Sequence, residues 1–346
     1  MTQAKVGILN VTGYIGMEVA RLLRNHPNVK LTAVTGRGAA GQKLAAFLPH
    51  LADFDLTITE EPEAKVDILF SALPHKASAE VCSQALDKGI KVIDLSADFR
   101  LKDAREYEQW YGITHPTPHL LTEAVFGLTE LHRSQIASAR LVANPGCYPT
   151  AAILALAPLV REGLIQPDII VDGKSGISGA GRTLSLATHY AEVNENASAY
   201  ALDGHRHLPE IVNELKSLNP RLPIALTFLP HFVPMTRGIL CSCYASLAPG
   251  KLRAKKAKEE LMELYLHSYK DEPFVRVVDY SPQTKLTWGN NLCLIHPTFD
   301  PRTGRVVVLS SLDNLVKGGA GQAIQNMNLM LGFPEAQGLE APAIFP

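Results

Sequence analysis

Short apolar runs alternate with helical patterns through the first 150 residues. The run at 6–9 is followed by a turn, after which Val19, Leu22 and Leu23 recur at helical spacing; this predicts strand, turn, helix. Further apolar runs at 31–34, 66–70 and 91–95 predict strands, with a helix-like stretch at 77–88. Such alternation predicts a parallel, doubly wound sheet with right-handed crossovers. Beyond Pro149 the pattern changes. One apolar helix is expected over 150–161, then β-like runs at 169–172, 224–229, 239–246 and 305–311. These predict an α+β domain with an antiparallel or mixed sheet. A charged segment at 251–260 reads as a solvated helix face. A periodic segment at 321–331 predicts a helix returning to the first domain. The expected division is therefore residues 1–147, with 315–346 returning to them, and residues 148–314.

Composition narrows the class of function. The 346 residues are 46% hydrophobic and 19% charged, which is ordinary for globular domains. Lys and Arg total 33 against 34 Asp and Glu, so a net charge of −1 offers no general attraction for nucleic acid or anionic lipid. The longest apolar run, 151–160, is about half a membrane span, and no basic segment with a hydrophobic signal core opens the chain. A cytoplasmic protein is expected. Five cysteines, Cys82, Cys147, Cys241, Cys243 and Cys293, form no CxxC pair and are expected as free thiols.

The first strand leads into Asn10-Val-Thr12-Gly13-Tyr14-Ile15-Gly16, with a helix opening near Gly13. Small residues at such a turn let backbone amides approach a pyrophosphate and aim the helix amino terminus at its charge. A glycine pair alone also fits an ordinary tight turn; the preceding strand and following helix favour a dinucleotide. NAD-preferring sites place an acidic residue about 20 positions later. Between Glu18 and Asp53 there is none, while Thr35-Gly-Arg37-Gly ends the second strand. A guanidinium there suits a 2′-phosphate, which points to NADP, the alternative being a surface arginine.

Asn144-Pro-Gly-Cys147-Tyr-Pro-Thr150 stands immediately before the apolar helix. A thiol at a helix amino terminus is shifted towards the nucleophilic thiolate. The other four cysteines read as small buried hydrophobes, Cys241 and Cys243 on one face of a strand. A thiol nucleophile needs a proton carrier, and Gly204-His205-Arg-His207-Leu-Pro-Glu210 supplies two imidazoles and a carboxylate. With a helix starting near Pro209, Glu210 lies in its first turn and could orient an imidazole. The spacing lacks the companion pair of a zinc site, so no metal is expected.

These segments, with Ala72-Leu-Pro-His75, Asp94-Leu-Ser-Ala-Asp-Phe-Arg100, Lys174-Ser-Gly-Ile-Ser-Gly-Ala-Gly-Arg182, Pro234-Met-Thr-Arg-Gly238 and Asp313-Asn-Leu-Val-Lys-Gly-Gly-Ala-Gly321, are ordered along the whole chain. Together they resemble the N-acetyl-γ-glutamyl-phosphate reductase family, within the aspartate-semialdehyde dehydrogenase superfamily. The resemblance implies a Rossmann-type NADP-binding domain and a substrate and oligomerisation domain. It implies NADPH-dependent reduction of N-acetyl-L-glutamyl 5-phosphate to the 5-semialdehyde, in arginine biosynthesis. Cys147 would attack the acyl phosphate and His207, or else His205, would carry the proton. Pro74 and Asn314 would lie near the cofactor, and Arg100, Ser175, Arg182 and Arg237 would hold substrate. A homodimer or homotetramer is implied. Two departures stand out: Asn10 replaces the family's usual glycine, and Trp288-Gly-Asn-Asn-Leu-Cys-Leu-Ile295 lacks the usual Gly-Ser/Thr-Asn. Competing readings are a reductase of carrier-linked glutamyl or aminoadipyl phosphate and a catalytically silent NADP-binding sensor. The second gives no reason for Cys147, His207 and Glu210 to occur together.

Overall fold

The computed structural model describes residues 3–62, 65–252 and 256–346. The chain divides into two compact units: residues 1–145 with 319–341, and residues 146–318 with 342–346. Residues 146–147, 315–318 and the last five thus belong to the second unit, a different assignment from the one expected; the Ile344 amide donates to the Trp288 carbonyl there.

In the first unit, β1 (Ala4–Leu9), α1 (Tyr14–Leu23), β2 (Val29–Val34), α2 (Leu44–Phe47), β3 (Ile68–Ser71), α3 (Ala79–Asp87), β4 (Lys91–Asp94), α4 (Ala104–Tyr111), β5 (Val125–Phe126), α5 (Thr129–Ser138) and β6 (Leu141–Ala143) follow in order. The strands form one six-stranded sheet, β2-β1-β3-β4-β6-β5, every pair parallel. The sheet is the expected doubly wound, Rossmann-type architecture. Residues 6–9 and 68–71 are buried on successive positions, as parallel strands covered on both faces must be.

The second unit carries α6 (Cys147–Arg161), β7 (Ile165–Ser175), α7 (Tyr190–Val193), β8 (Ser198–Ala199), α8 (Leu208–Leu218), β9 (Ala225–Phe232), β10 (Ile239–Leu247), α9 (Ala257–Ser268), β11 (Val275–Val277), β12 (Cys293–Asp300) and β13 (Arg305–Leu312). Its seven strands run β11-β12-β13-β10-β7-β9-β8, a mixed sheet as expected. Only β11–β12 and β7–β9 are parallel. Residues 148–160 of α6 are all buried, so this helix is apolar on every side and sits against the sheet, packing on β7, β10, β12 and β13. The helix expected over 251–260 falls partly outside the described residues, since 253–255 are among those not described. Helix α9 starts at Ala257 and buries Leu261 and Tyr265. A short π-helix (Val316–Ala320) leads into α10 (Gly321–Met330), which belongs to the first unit and packs on α1 and α5. Among the described residues no helix is long and apolar enough to cross a membrane.

Candidate active site

In the first unit, Asn10 follows β1 with φ 60°, a left-handed conformation that asparagine accepts more readily than most residues. Its side chain donates to the Ala72 carbonyl (2.9 Å) and accepts from the Thr12 hydroxyl (3.0 Å), tying the first turn to the loop after β3. The departure from glycine is thereby accommodated, with an added brace. A Cβ on Gly16 would lie 2.4 Å from the Asn10 carbonyl oxygen, and one on Gly36 would lie 2.7 Å from Thr12 Cγ2. Helix α1 begins after Gly13 with no side chain capping it, so its first amides face outward beside exposed Tyr14. Arg37 is exposed and makes no side-chain bond among the described residues. Ile15 lies in the first turn of α1, and Pro74 is exposed in the loop after β3. A tight turn, an uncapped helix start and an unengaged guanidinium fit a phosphorylated dinucleotide.

Within the first unit, Asn144 is held on several sides. The Asn144 amide donates to the Asp94 carbonyl (2.8 Å), and its carbonyl accepts from Arg100 Nε (2.9 Å). The Asn144 side chain donates to the Gly319 carbonyl (3.2 Å) and accepts from Asn326 Nδ2 (3.1 Å). Arg100 also donates to the Leu95 carbonyl (3.0 Å), so part of its fork serves this loop. Below it, burial and the neighbouring Asp98 push the Asp94 carboxyl up to about 6, although Ser78 and Ser96 hydroxyls donate to it.

In the second unit, Glu210, His205 and His207 lie beside the start of α6. Cys147 is the first helical residue, the N-cap Gly146 offers no side chain, and Cys147 alone among the five cysteines is not buried. Burial pushes the Cys82 and Cys241 thiols well up and Cys243 up to about 12, which leaves them unreactive. The buried Glu210 carboxylate, in the first turn of α8, accepts the Gly146 amide at 2.6 Å. The spacing of the sequence suggests an imidazole neighbour for Glu210 and gives no sign of this bond to the Cys147 loop. His205 and His207 lie edge to face with ring centroids 4.6 Å apart, and Tyr148, next to the thiol, packs against both at 6.0 and 6.1 Å. His205 Nδ1 accepts the His207 amide (3.1 Å), which fixes the turn. Burial, with Arg206 beside it, lowers His205 to about 4, so its ring is neutral at neutral pH.

Asn314 is buried; its Nδ2 donates to Ser178 Oγ (2.9 Å) and its Oδ1 accepts from the Gly238 amide (2.7 Å). Ser175 is also buried and its hydroxyl donates to the Gly176 carbonyl (2.9 Å). Arg237 lies 3.5 Å from Asp313, whose carboxylate accepts the amides of Gly289, Leu315 and Val316. Gly289 of the divergent 288–295 segment thus helps to hold Asp313. Arg182 is exposed in the loop following β7. One close neighbour of the thiol escaped sequence reasoning: a Cβ on Gly318 would lie 2.7 Å from Cys147 Cβ. Its only signal was the run of small residues at 318–321. Among the described residues no group of three or more His, Cys, Asp or Glu side chains is placed to hold a metal.

Residues 5–139 match the family model described as semialdehyde dehydrogenase, NAD binding domain, and residues 147–314 the one described as semialdehyde dehydrogenase, dimerisation domain. N-acetyl-gamma-glutamyl-phosphate reductase of Dehalococcoides mccartyi is 53% identical over 346 residues, covering 100% of both chains. The chain belongs to the N-acetyl-γ-glutamyl-phosphate reductase family. Another relative, the N-acetyl-gamma-glutamyl-phosphate reductase of Pelotomaculum thermopropionicum, is 51% identical over 99% of each chain. Among solved structures, aspartate semialdehyde dehydrogenase II of Vibrio cholerae superimposes on this reductase-family chain with a TM-score of 0.70 at 17% identity, covering 96% of this chain and 99% of that one. An NADP-bound aspartate semialdehyde dehydrogenase from Candida albicans gives 0.66 at 17% identity, with 95% and 99% covered. At that identity the likeness is one of fold.

Proposed function

We propose that this chain catalyses the NADPH-dependent reduction of N-acetyl-L-glutamyl 5-phosphate to N-acetyl-L-glutamate 5-semialdehyde and phosphate, in cytoplasmic arginine biosynthesis. The observation that carries the reading is Cys147: an accessible thiol at an uncapped helix start, in a chain about half identical to reductases of that name. The α6 amino terminus stabilises the thiolate. That sulfur attacks the acyl carbon, the C–O bond to phosphate breaks, and a thioester forms. NADPH, when bound, supplies the hydride that the thioester carbon accepts. The carbon–sulfur bond then breaks, the aldehyde leaves and the thiolate is regenerated. The first turn of α6 presents the amides of Cys147 and Tyr148 to the developing oxyanion, Pro149 contributing none.

His207 carries the proton in this reading, because His205 Nδ1 is engaged by a backbone amide and its ring resists protonation. Asn10, Thr12, Gly13, Tyr14, Ile15, Gly16, Arg37 and Pro74 would hold NADP, with Asn314 towards its nicotinamide. Arg100, Ser175, Arg182 and Arg237 are the groups proposed for the acyl phosphate and its carboxylate. The chain works as a homo-oligomer: opposite α6, the half-buried Ile170, Tyr244, Val307 and Leu309 make an apolar sheet face. Sedimentation mass in solution tests that.

The decisive assay runs the reaction backwards, from N-acetylglutamate semialdehyde, phosphate and NADP, following the reduced cofactor. Cys147→Ala abolishes turnover and keeps the fold, and iodoacetamide labels Cys147 faster than the other four thiols. Wild-type turnover in that variant, or labelling at a buried cysteine first, overturns the thioester reading.

A further inference from the structure

Helix α6 starts without a capping side chain of its own, yet its N-cap residue is held: the Gly146 amide donates to Glu210 Oε1 at 2.6 Å. The acceptor comes from 64 residues away and is only 2% exposed. A serine or aspartate at position 146 would have turned its side chain onto the first-turn amides and covered them. Capping from a distance leaves those amides facing outward. Thr150 closes the turn instead, its amide and hydroxyl both donating to the Gly146 carbonyl at 2.9 Å. Both faces of the Gly146 residue are thereby fixed, the amide by Glu210 and the carbonyl by Thr150. Only the amides of Cys147 and Tyr148 remain at the helix start, since Pro149 has none.

We infer that Glu210 is a positioning residue for the nucleophile: its carboxylate fixes the Gly146 peptide and so aims the Cys147 thiol and the two following amides. The proposal rests on the reading of Cys147 as the nucleophile and gives Glu210 a partner other than an imidazole. A role in aiming needs an acceptor oxygen at this place; a role in proton transfer or imidazolium pairing needs a titrating carboxyl. Glutamine separates the two, because its amide oxygen still accepts the Gly146 N–H while its charge is gone.

The test compares Glu210→Gln and Glu210→Ala in the intact enzyme, alongside Cys147→Ala. Expected are a loss in kcat of about 100-fold for E210A with KM for phosphate and for NADP within about threefold, and a loss of about three- to tenfold for E210Q, with the pH–rate profile unmoved in shape. E210Q as impaired as E210A, or with an altered acid limb, overturns the assignment in favour of a titrating role. Wild-type kcat in E210A overturns it outright. Should E210A fail to fold, E210Q decides by the same profile. Turnover in Cys147→Ala would instead sink the reading beneath it, so the two failures are told apart.

Discussion

Substituting Gly318 by alanine tests the geometry at Cys147 most directly. The added methyl would sit 2.7 Å from Cys147 Cβ, 3.1 Å from Cys147 Cα and 3.2 Å from Leu312 Cδ1. Ordinary carbon contacts begin near 3.4 Å, so one side must retreat by about 0.7 Å. Gly318 cannot easily yield, because its amide closes the π-turn on the Asp313 carbonyl at 2.9 Å. Cys147 is likewise held, through Gly146 and Glu210. A misplacement approaching 1 Å costs on the order of 100-fold in rate, equivalent to about 2.7 kcal/mol of barrier. Overpacking costs about 1–3 kcal/mol of stability, partly offset by about 1 kcal/mol from replacing glycine in a helical segment. The expected outcome is a folded enzyme with kcat down between about 10- and 100-fold and NADP binding unchanged. Reverse-direction kinetics and urea unfolding read both quantities. Wild-type kcat in Gly318→Ala would refute the claim that the space beside Cys147 is too tight for an added methyl.

Two further outcomes are expected. Arg37→Asp should reverse or erase a preference for NADP over NAD, measured as the ratio of kcat/KM values, because it replaces an unengaged cation by an anion where a 2′-phosphate would lie; an unchanged ratio removes Arg37 from the cofactor site. For His205, the folded value near 4 lies below the 6.5 of the unfolded chain, so the unfolded state binds the proton first and stability falls as pH drops from about 6.5 towards 4. Relative to His205→Gln, the wild type should lose on the order of 2 kcal/mol across that window after allowance for partial exposure, read from urea midpoints at pH 7 and 4.5. Parallel losses in the two proteins would show that this ring is not buried neutral.

What the sequence disclosed follows the range of its signals. The β1–α1–β2 start was legible because burial on both faces makes strands continuously apolar and the Gly13 and Gly16 turn marks the helix. The helix after Cys147 was legible from the apolar run at 151–160 preceded by Pro145, Gly146 and Pro149. Strand β12 was missed, since Pro297 and the half-exposed His296 and Thr298 break its apolar run. The two-residue β5 and three-residue β6 are too short to show a period. Pairings between distant residues left no trace: Gly318 with Cys147, Glu210 with Gly146, and Asn326 with Asn144 are each fixed by tertiary packing. Asn314 illustrates the same limit, its bonds to Ser178 and Gly238 joining three separate loops.

The discontinuity of the first unit sets an order of events at the ribosome. Its Gly127 carbonyl is buried and receives its side-chain donors from Gln322 and Asn326, the latter 199 residues later in the chain. At about 5–20 residues per second that donor is synthesised roughly 10–40 s after the acceptor. Throughout that interval α10 has yet to be made, so the Gly127 carbonyl and the Asn144 side chain lack the partners they have in the finished fold. The second unit, encoded between, is complete once Gly318 emerges, apart from its last five residues. Synthesis therefore runs ahead of closure: the inserted unit can finish first, and the amino-terminal one is sealed only by α10, the last helix among the described residues.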